Sequence, residues 1–158
     1  MNRQNKLIKE FIHDPYFKKE GYADPSVCRR CGVVHHGSTF EWQEKPPKGA
    51  EQMTCPACKR IEDNYEGGHI ILEGSFLKDH RTDILNIIKN TEASQKKRRP
   101  LERVITTEER EGRLEVRTTY EHIARRIGEA VHKAYRGELK MHYPEGEKYI
   151  RVHWRREG

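Results

Sequence analysis

Apolar positions along this chain recur with two different periods, and the switching between them predicts a mixed α+β architecture. Leu114, Val116, Thr118 and Tyr120 alternate with Arg113, Glu115 and Arg117, the period-two pattern of a half-buried strand. Leu139, Met141 and Tyr143 alternate in the same way, as do Ile150, Val152 and Trp154. Ile70-Ile71-Leu72 and Leu101–Thr107 predict two further strands. Between these runs the period becomes helical. Ile84, Leu85, Ile87 and Ile88 predict a helix over Asp83–Thr91. Ile123, Ile127, Ala130, Val131, Ala134 and Tyr135 share one face of a second helix, with Thr118 and Glu121 spaced as a capping box and Gly137 placed as its C-cap. Gln95-Lys96-Lys97-Arg98-Arg99-Pro100 reads as a charged stop in a loop after the first helix. Over residues 65–158 the order is therefore βαββαβ plus an extra C-terminal strand, which predicts a ferredoxin-like split βαβ.

The first part of the chain lacks this regularity. Residues 1–27 form a polar, basic lead-in. Leu7, Ile8, Phe11 and Ile12 have helical spacing there, broken by Asp14-Pro15-Tyr16 and Asp24-Pro25. In residues 28–60, Phe40 and Trp42 alternate with polar neighbours, as on one strand of a hairpin, and Pro46-Pro47-Lys48-Gly49 marks a turn. This short stretch holds all four cysteines of the chain, as Cys28-Arg29-Arg30-Cys31 and Cys55-Pro56-Ala57-Cys58.

Two CxxC pairs on facing turns offer four thiolates to one tetrahedral ion, the closed donor set of structural zinc. Cys28, Cys31, Cys55 and Cys58 are the expected ligands of a zinc ribbon. The gap between pairs holds 23 residues, longer than the usual ribbon spacing of roughly 15–20, so an extended hairpin is expected within it. Three other chemistries use such cysteines. Two disulfides need an oxidising compartment, and the chain shows no secretory pattern. A thioredoxin-like pair needs one CxxC at a helix start within a βαβ unit. Iron, alone or as an iron–sulfur cluster, takes the same ligands. His35 and His36 lie in the gap and are expected at the surface, because four thiolates already complete the site.

Composition narrows the picture. The 158 residues are 34% hydrophobic and 35% charged, so the core is modest and the surface heavily charged. A segment of about thirty residues cannot bury enough apolar area alone, so metal must supply stability there. The net charge of +6 favours a polyanionic partner. No apolar run approaches a membrane span, and a cytoplasmic location is expected.

Strand alternation indicates which side chains face outward. Arg113 and Arg117, Lys140 and His142, then Tyr149, Arg151, His153 and Arg155 are expected on one open sheet face. Guanidinium groups bind phosphate and rings stack on bases, so this face suits RNA, although Glu115 and Glu147 dilute it and a one-residue slip would reverse it. Lys96, Lys97, Arg98 and Arg99 in their loop, Arg29 and Arg30 between the first ligand pair, and Lys59 and Arg60 after the second add cationic positions. The chain has no Gly-rich phosphate loop, nucleophile elbow or HExxH motif, and a four-thiolate zinc has no open position. A protein without enzymatic activity and without a small-molecule substrate is expected. An enzyme site between the two parts, using His35, His36 or His69, is the weaker reading.

Cys55-Pro-Ala-Cys58-Lys-Arg-Ile, Phe76-Leu77 with His80-Arg81, Asp83-Ile-Leu-Asn86, Ala124-Arg-Arg-Ile-Gly128 and Tyr135-Arg-Gly-Glu-Leu139 together resemble a family of small, largely uncharacterised bacterial zinc-ribbon proteins. The resemblance extends over nearly the whole chain, including Asp14-Pro15-Tyr16 and Val27-Cys28. More distantly, a double CxxC module before an α/β unit is similar to the N-terminal zinc module of the archaeal and eukaryotic large-subunit ribosomal export adaptor. That similarity implies the four cysteines as ligands and ribosomal RNA and ribosomal proteins as partners. The adaptor's later domains and export signals have no counterpart, so export is not implied. The resulting expectation is a ribosome-associated protein acting in assembly, rescue or dormancy; the alternative is a protein-interaction module in transcription or stress regulation.

Overall fold

A computed structural model describes residues 21–158; the helix expected around residues 7–12 lies outside the described residues. Four short strands open the described chain: β1 (Ser26–Cys28), β2 (Val34–His36), β3 (Thr39–Glu41) and β4 (Glu51–Met53). They form one sheet in the order β3-β2-β1-β4, with β4 parallel to β1 and the other pairs antiparallel. The hairpin expected between the cysteine pairs is β2–β3. It turns through Gly37 and Ser38, both at positive φ, the backbone a tight two-residue hairpin needs. Trp42 lies one residue past β3 rather than within it.

The second cysteine pair departs from expectation. It sits on the first turn of helix α1 (Pro56–Asp63), with Cys55 as N-cap and Pro56 leading the helix, where its missing N–H costs nothing. The module is thus a turn, a hairpin and a helix, rather than a ribbon with two turns. Cys28, Val33, Met53, Cys55, Ala57 and Cys58 make up its small core, with Tyr22, Phe40 and Leu101 packed against it.

The larger part contains β5 (Gly68–Glu73), α2 (Ser75–Arg98), β6 (Val104–Arg110), β7 (Arg113–Thr118), α3 (Glu121–Tyr135), β8 (Glu138–His142) and β9 (Ile150–Arg155). The sheet order is β6-β7-β5-β9-β8. In a plain split βαβ, the strand after the second helix would lie beside β5. Here that strand, β8, takes the edge, and its hairpin partner β9 is inserted next to β5 and parallel to it. Burial explains the choice. Ile150, Val152 and Trp154 of β9 are buried, while the inward residues of β8, Leu139 and Met141, are only partly so. The more apolar strand occupies the interior position, and the one carrying Glu138, Lys140 and His142 forms a charged edge. Both helices cover one sheet face, closing a core of Ile70, Leu72, Ile84, Ile88, Leu114, Val116, Ile123, Ile127 and the β9 residues.

Several local expectations shift. The first helix is far longer than Asp83–Thr91, starting at Ser75 and continuing through Ala93, Ser94 and Gln95, none of which breaks a helix. Lys96, Lys97 and Arg98 are therefore its last turn and Arg99 its C-cap, not a loop. Cations are favoured there by the helix dipole. The helix kinks at His80, where the backbone leaves helical geometry. The His80 ring stacks on Phe76 at 3.7 Å and its Nδ1 bonds the Phe76 carbonyl at 3.0 Å, taking the acceptor that the helix ladder would use. The strand expected at Leu101–Thr107 begins three residues later, because Leu101–Arg103 pack toward the cysteine module. The capping box is not formed: Tyr120 is the N-cap of α3, and Thr118 Oγ1 donates to the Tyr120 carbonyl. Arg136, at positive φ, is the C-cap, with Gly137 just after it.

Candidate metal centre

The chain between Cys28 and Val33 turns tightly. The Gly32 amide donates to the Cys28 carbonyl at 2.9 Å, and the Cys28 amide to the Val33 carbonyl at 2.8 Å. This brings Cys28 and Cys31 onto one side of the turn. Cys55 and Cys58 face them from the first turn of α1. Backbone amides already point at sulfur: Cys55 N–H donates to Cys28 Sγ at 3.3 Å and Cys58 N–H to Cys55 Sγ at 3.4 Å.

The four Sγ atoms all lie within 4.8 Å of one another. Cys28 and Cys58 are 3.8 Å apart, as are Cys31 and Cys55. A tetrahedral ion with metal–sulfur bonds of about 2.3 Å requires sulfur–sulfur edges of about 3.8 Å. Disulfide sulfurs would be about 2.05 Å apart, and all four cysteines are free. The cluster therefore fits a single tetrahedral ion. This donor set suits zinc or iron. Among the described residues, the candidate metal group contains these four cysteines only. His35 packs between Tyr22 and Phe40, and exposed His36 pairs with Asp24 at 2.9 Å.

A fifth residue completes the centre. Arg103, only 4% exposed, donates through Nη2 to Cys31 Sγ at 3.1 Å and through Nη1 to Cys58 Sγ at 3.3 Å. One guanidinium thus holds a sulfur from each pair. It is itself aimed by the larger domain: Nε donates to the Pro100 carbonyl at 3.0 Å, the Arg103 amide donates to Thr119 Oγ1 at 2.9 Å, and the Thr119 amide donates to the Arg103 carbonyl at 2.9 Å. Four thiolates and one divalent ion carry a net charge of −2, and Arg103 offsets half of it in a buried site where an unpaired charge is costly. Burial pushes the Arg103 pKa down, but the thiolates outweigh this and hold it above its ordinary value. With thiols in place of metal, the hydrogen bond from Cys55 and the guanidinium bring Cys31 down to about 4. Donating that bond, together with burial, pushes Cys55 up, and burial pushes Cys58 up.

The cationic positions separate into groups. Arg60, expected at the surface, is 6% exposed. It donates to the Thr119 carbonyl at 2.8 Å and lies over the Tyr65 and Tyr120 rings, so it joins the two parts of the protein instead of facing a ligand. Lys59 lies over the Tyr22 ring. Arg29 is exposed, and Arg30 reaches Glu62 at 3.6 Å.

The sheet register is the one the alternation predicts. Arg113, Arg117, Lys140, His142, Arg151, His153 and Arg155 share the face opposite the helices. Tyr149 precedes β9 and its hydroxyl donates to Glu66. The face is not simply basic, because Glu66, Glu73, Glu108 and Glu115 interleave with the cations. Arg117 pairs with Glu66 at 3.0 Å, His69 with Glu115 at 3.0 Å and His153 with Glu73 at 2.7 Å. Arg155 reaches Glu73 at 3.8 Å and Lys140 reaches Glu138 at 3.3 Å.

The last turn of α2 is different. Lys97 and Arg98 are exposed and, among the described residues, have no ion-pair partner, while Arg99 reaches buried Glu102 at 3.7 Å. Trp42 from the cysteine module sits against this turn, its indole N–H donating to the Lys96 carbonyl at 2.9 Å. Sequence alone did not single out Arg103. Its sulfur partners lie 45 and 72 residues away, and no local period marks it.

No protein-family model, curated protein or solved structure matches the chain.

Proposed function

We propose that this protein is a non-enzymatic zinc-binding protein that associates with the ribosome through ribosomal RNA, on the large subunit, in assembly, rescue or dormancy in the cytoplasm. The observation that carries this reading is the meeting of the cysteine module with the basic end of α2. There Trp42 bonds the helix turn that carries Lys97 and Arg98, which have no ion-pair partner among the described residues, next to a centre whose four sulfurs leave a tetrahedral ion no open position. Such a corner can follow a phosphate backbone, and the net charge of +6 favours the encounter. The resemblance to ribosome-binding zinc modules points in the same direction. No helix among the described residues is long and apolar enough to cross a membrane. The sheet face contributes less in this reading, because glutamates already engage most of its cations.

Co-sedimentation of the zinc-loaded protein with ribosomes tests the proposal. Binding should fall steeply as salt rises, and Lys97→Glu with Arg98→Glu should abolish it. Absence of the protein from ribosomal fractions at low salt, across growth phases, refutes it. The second reading, a protein-interaction module in transcription or stress regulation, is favoured by the Arg–Glu and His–Glu pairs of the open sheet face, which match a partner of mixed charge better than a polyanion. In that case the double charge reversal leaves partner binding intact.

A further inference from the structure

Trp42 is among the few large apolar side chains left exposed in the described chain, at 37%. Its polar edge is already engaged. The indole N–H bonds the Lys96 carbonyl at 2.9 Å, one of the carbonyls that a helix end leaves without an intrahelical partner. The bond fixes the ring against α2, so little side-chain entropy remains to be lost on binding. The Lys96 ammonium lies 5.7 Å from the ring centroid and the Arg103 guanidinium 5.5 Å, the second of these anchored by the metal centre's sulfurs. Lys97 and Arg98 stand exposed on the same helix turn. An oriented aromatic ring with adjacent free cations is the combination that holds unpaired nucleotides, the ring stacking on the base and the cations meeting its phosphates.

We propose that Trp42 is a stacking platform for an unpaired base of single-stranded RNA, with Lys96, Lys97 and Arg98 engaging the flanking phosphates. This rests on the RNA-binding reading above and makes it more specific. A duplex keeps its bases stacked inside and offers none to the ring, so single strands, loops and bulges are selected over paired RNA. An acidic protein segment would satisfy the lysines but would leave the ring without a stacking partner.

The protein itself contains a probe. Trp42 and Trp154 are its two tryptophans, and Trp154 is fully buried. Zinc-loaded full-length protein is titrated with a short unstructured oligouridylate and with a hairpin duplex of equal length, and tryptophan emission is followed alongside anisotropy of labelled RNA. The single strand should quench emission, in wild type and in Trp154→Phe alike, and should bind more tightly than the duplex. Trp42→Ala should weaken single-strand binding about tenfold. Trp42→Phe keeps a ring but loses the bond to Lys96, so it should retain most of the affinity. If Trp42 only caps the helix, Phe weakens binding as much as Ala, and the proposal fails. Single-strand binding with no quenching and no loss in Trp42→Ala also overturns it, while RNA binding as such survives. Failure to bind either RNA overturns both readings. Quenching by polyglutamate in preference to RNA assigns the platform to a protein partner instead.

Discussion

The guanidinium of Arg103 donates to Cys31 Sγ at 3.1 Å across 72 residues of chain. Its other amino group reaches Cys58, so a residue of the larger domain touches a sulfur from each half of the metal centre. The bonds do two things. They place positive charge where a four-thiolate ion is most negative, and they tie the cysteine module to the segment leading into β6. The candidate metal centre and the docking of the two parts therefore share one side chain.

Arg103→Ala should weaken metal binding by roughly 10- to 100-fold, the usual effect of removing a partner that supports metal ligands. Arg103→Lys should recover only part of this, since one ammonium cannot fork to two sulfurs. Competition with a chromogenic chelator measures both variants. Wild-type affinity in Arg103→Ala would show that the guanidinium does not support the thiolates.

Metal removal should act locally. The core around the cysteines is separate from the core between the helices and the five-stranded sheet. A chelator under reducing conditions should raise amide exchange across residues 26–60 while β5 and β9 stay protected, and metal analysis should find one ion per chain before treatment. Unchanged exchange after metal loss would mean that the module folds without it.

Gly74 begins the turn from β5 into α2 at φ 110°, and a Cβ there would lie 2.0 Å from the Arg156 carbonyl oxygen. The clash is with backbone that pairs to Glu73 and Phe76, so neither side can yield. Gly74→Ala should cost about 2–4 kcal/mol in urea unfolding. Gly112, at φ 79° with nothing within 4 Å, meets strain alone, and its alanine variant should cost about 1 kcal/mol. Equal costs would contradict the close approach at Gly74.

Asp24 is held below its ordinary 3.8 by its hydrogen bond with His36 and by the Gly37 amide. A carboxyl with a lower pKa folded than unfolded contributes stability above its unfolded value. That contribution is lost as pH falls through the folded value. Protection of the Gly37 amide should therefore persist at neutral pH and disappear only below about pH 3.8, and Asp24→Asn should remove the pH dependence. Amide exchange and chemical shifts of Gly37 measure this, and loss of protection well above pH 3.8 would contradict the assignment to Asp24.

Much of the larger domain is legible from spacing. The outward set on β7, β8 and β9 follows from period-two alternation, because one face of each strand must meet the helices. The four candidate metal ligands follow from two CxxC pairs, because that spacing lets one turn present two sulfurs to one ion. Less legible were the ends of elements. Lys96–Arg98 read as a loop because they are charged, yet no residue before Pro100 breaks the helix. Also hidden was the order of the last strands, since β8 and β9 alternate alike and differ only in how apolar their inner faces are.

The sequence by itself determined which side chains each element turns inward and which atoms can bind a metal, since both depend on neighbours a few residues apart. Tertiary structure alone decided that Arg103 meets the cysteines, that Arg60 is buried between tyrosines, that glutamates engage the cations of the open sheet, and that Trp42 caps the basic end of α2. The pairs Arg103–Cys31, Arg60–Tyr120, His69–Glu115 and Trp42–Lys96 each join residues far apart in the chain. No period encodes such pairs, because they arise only when one packed unit is laid against another.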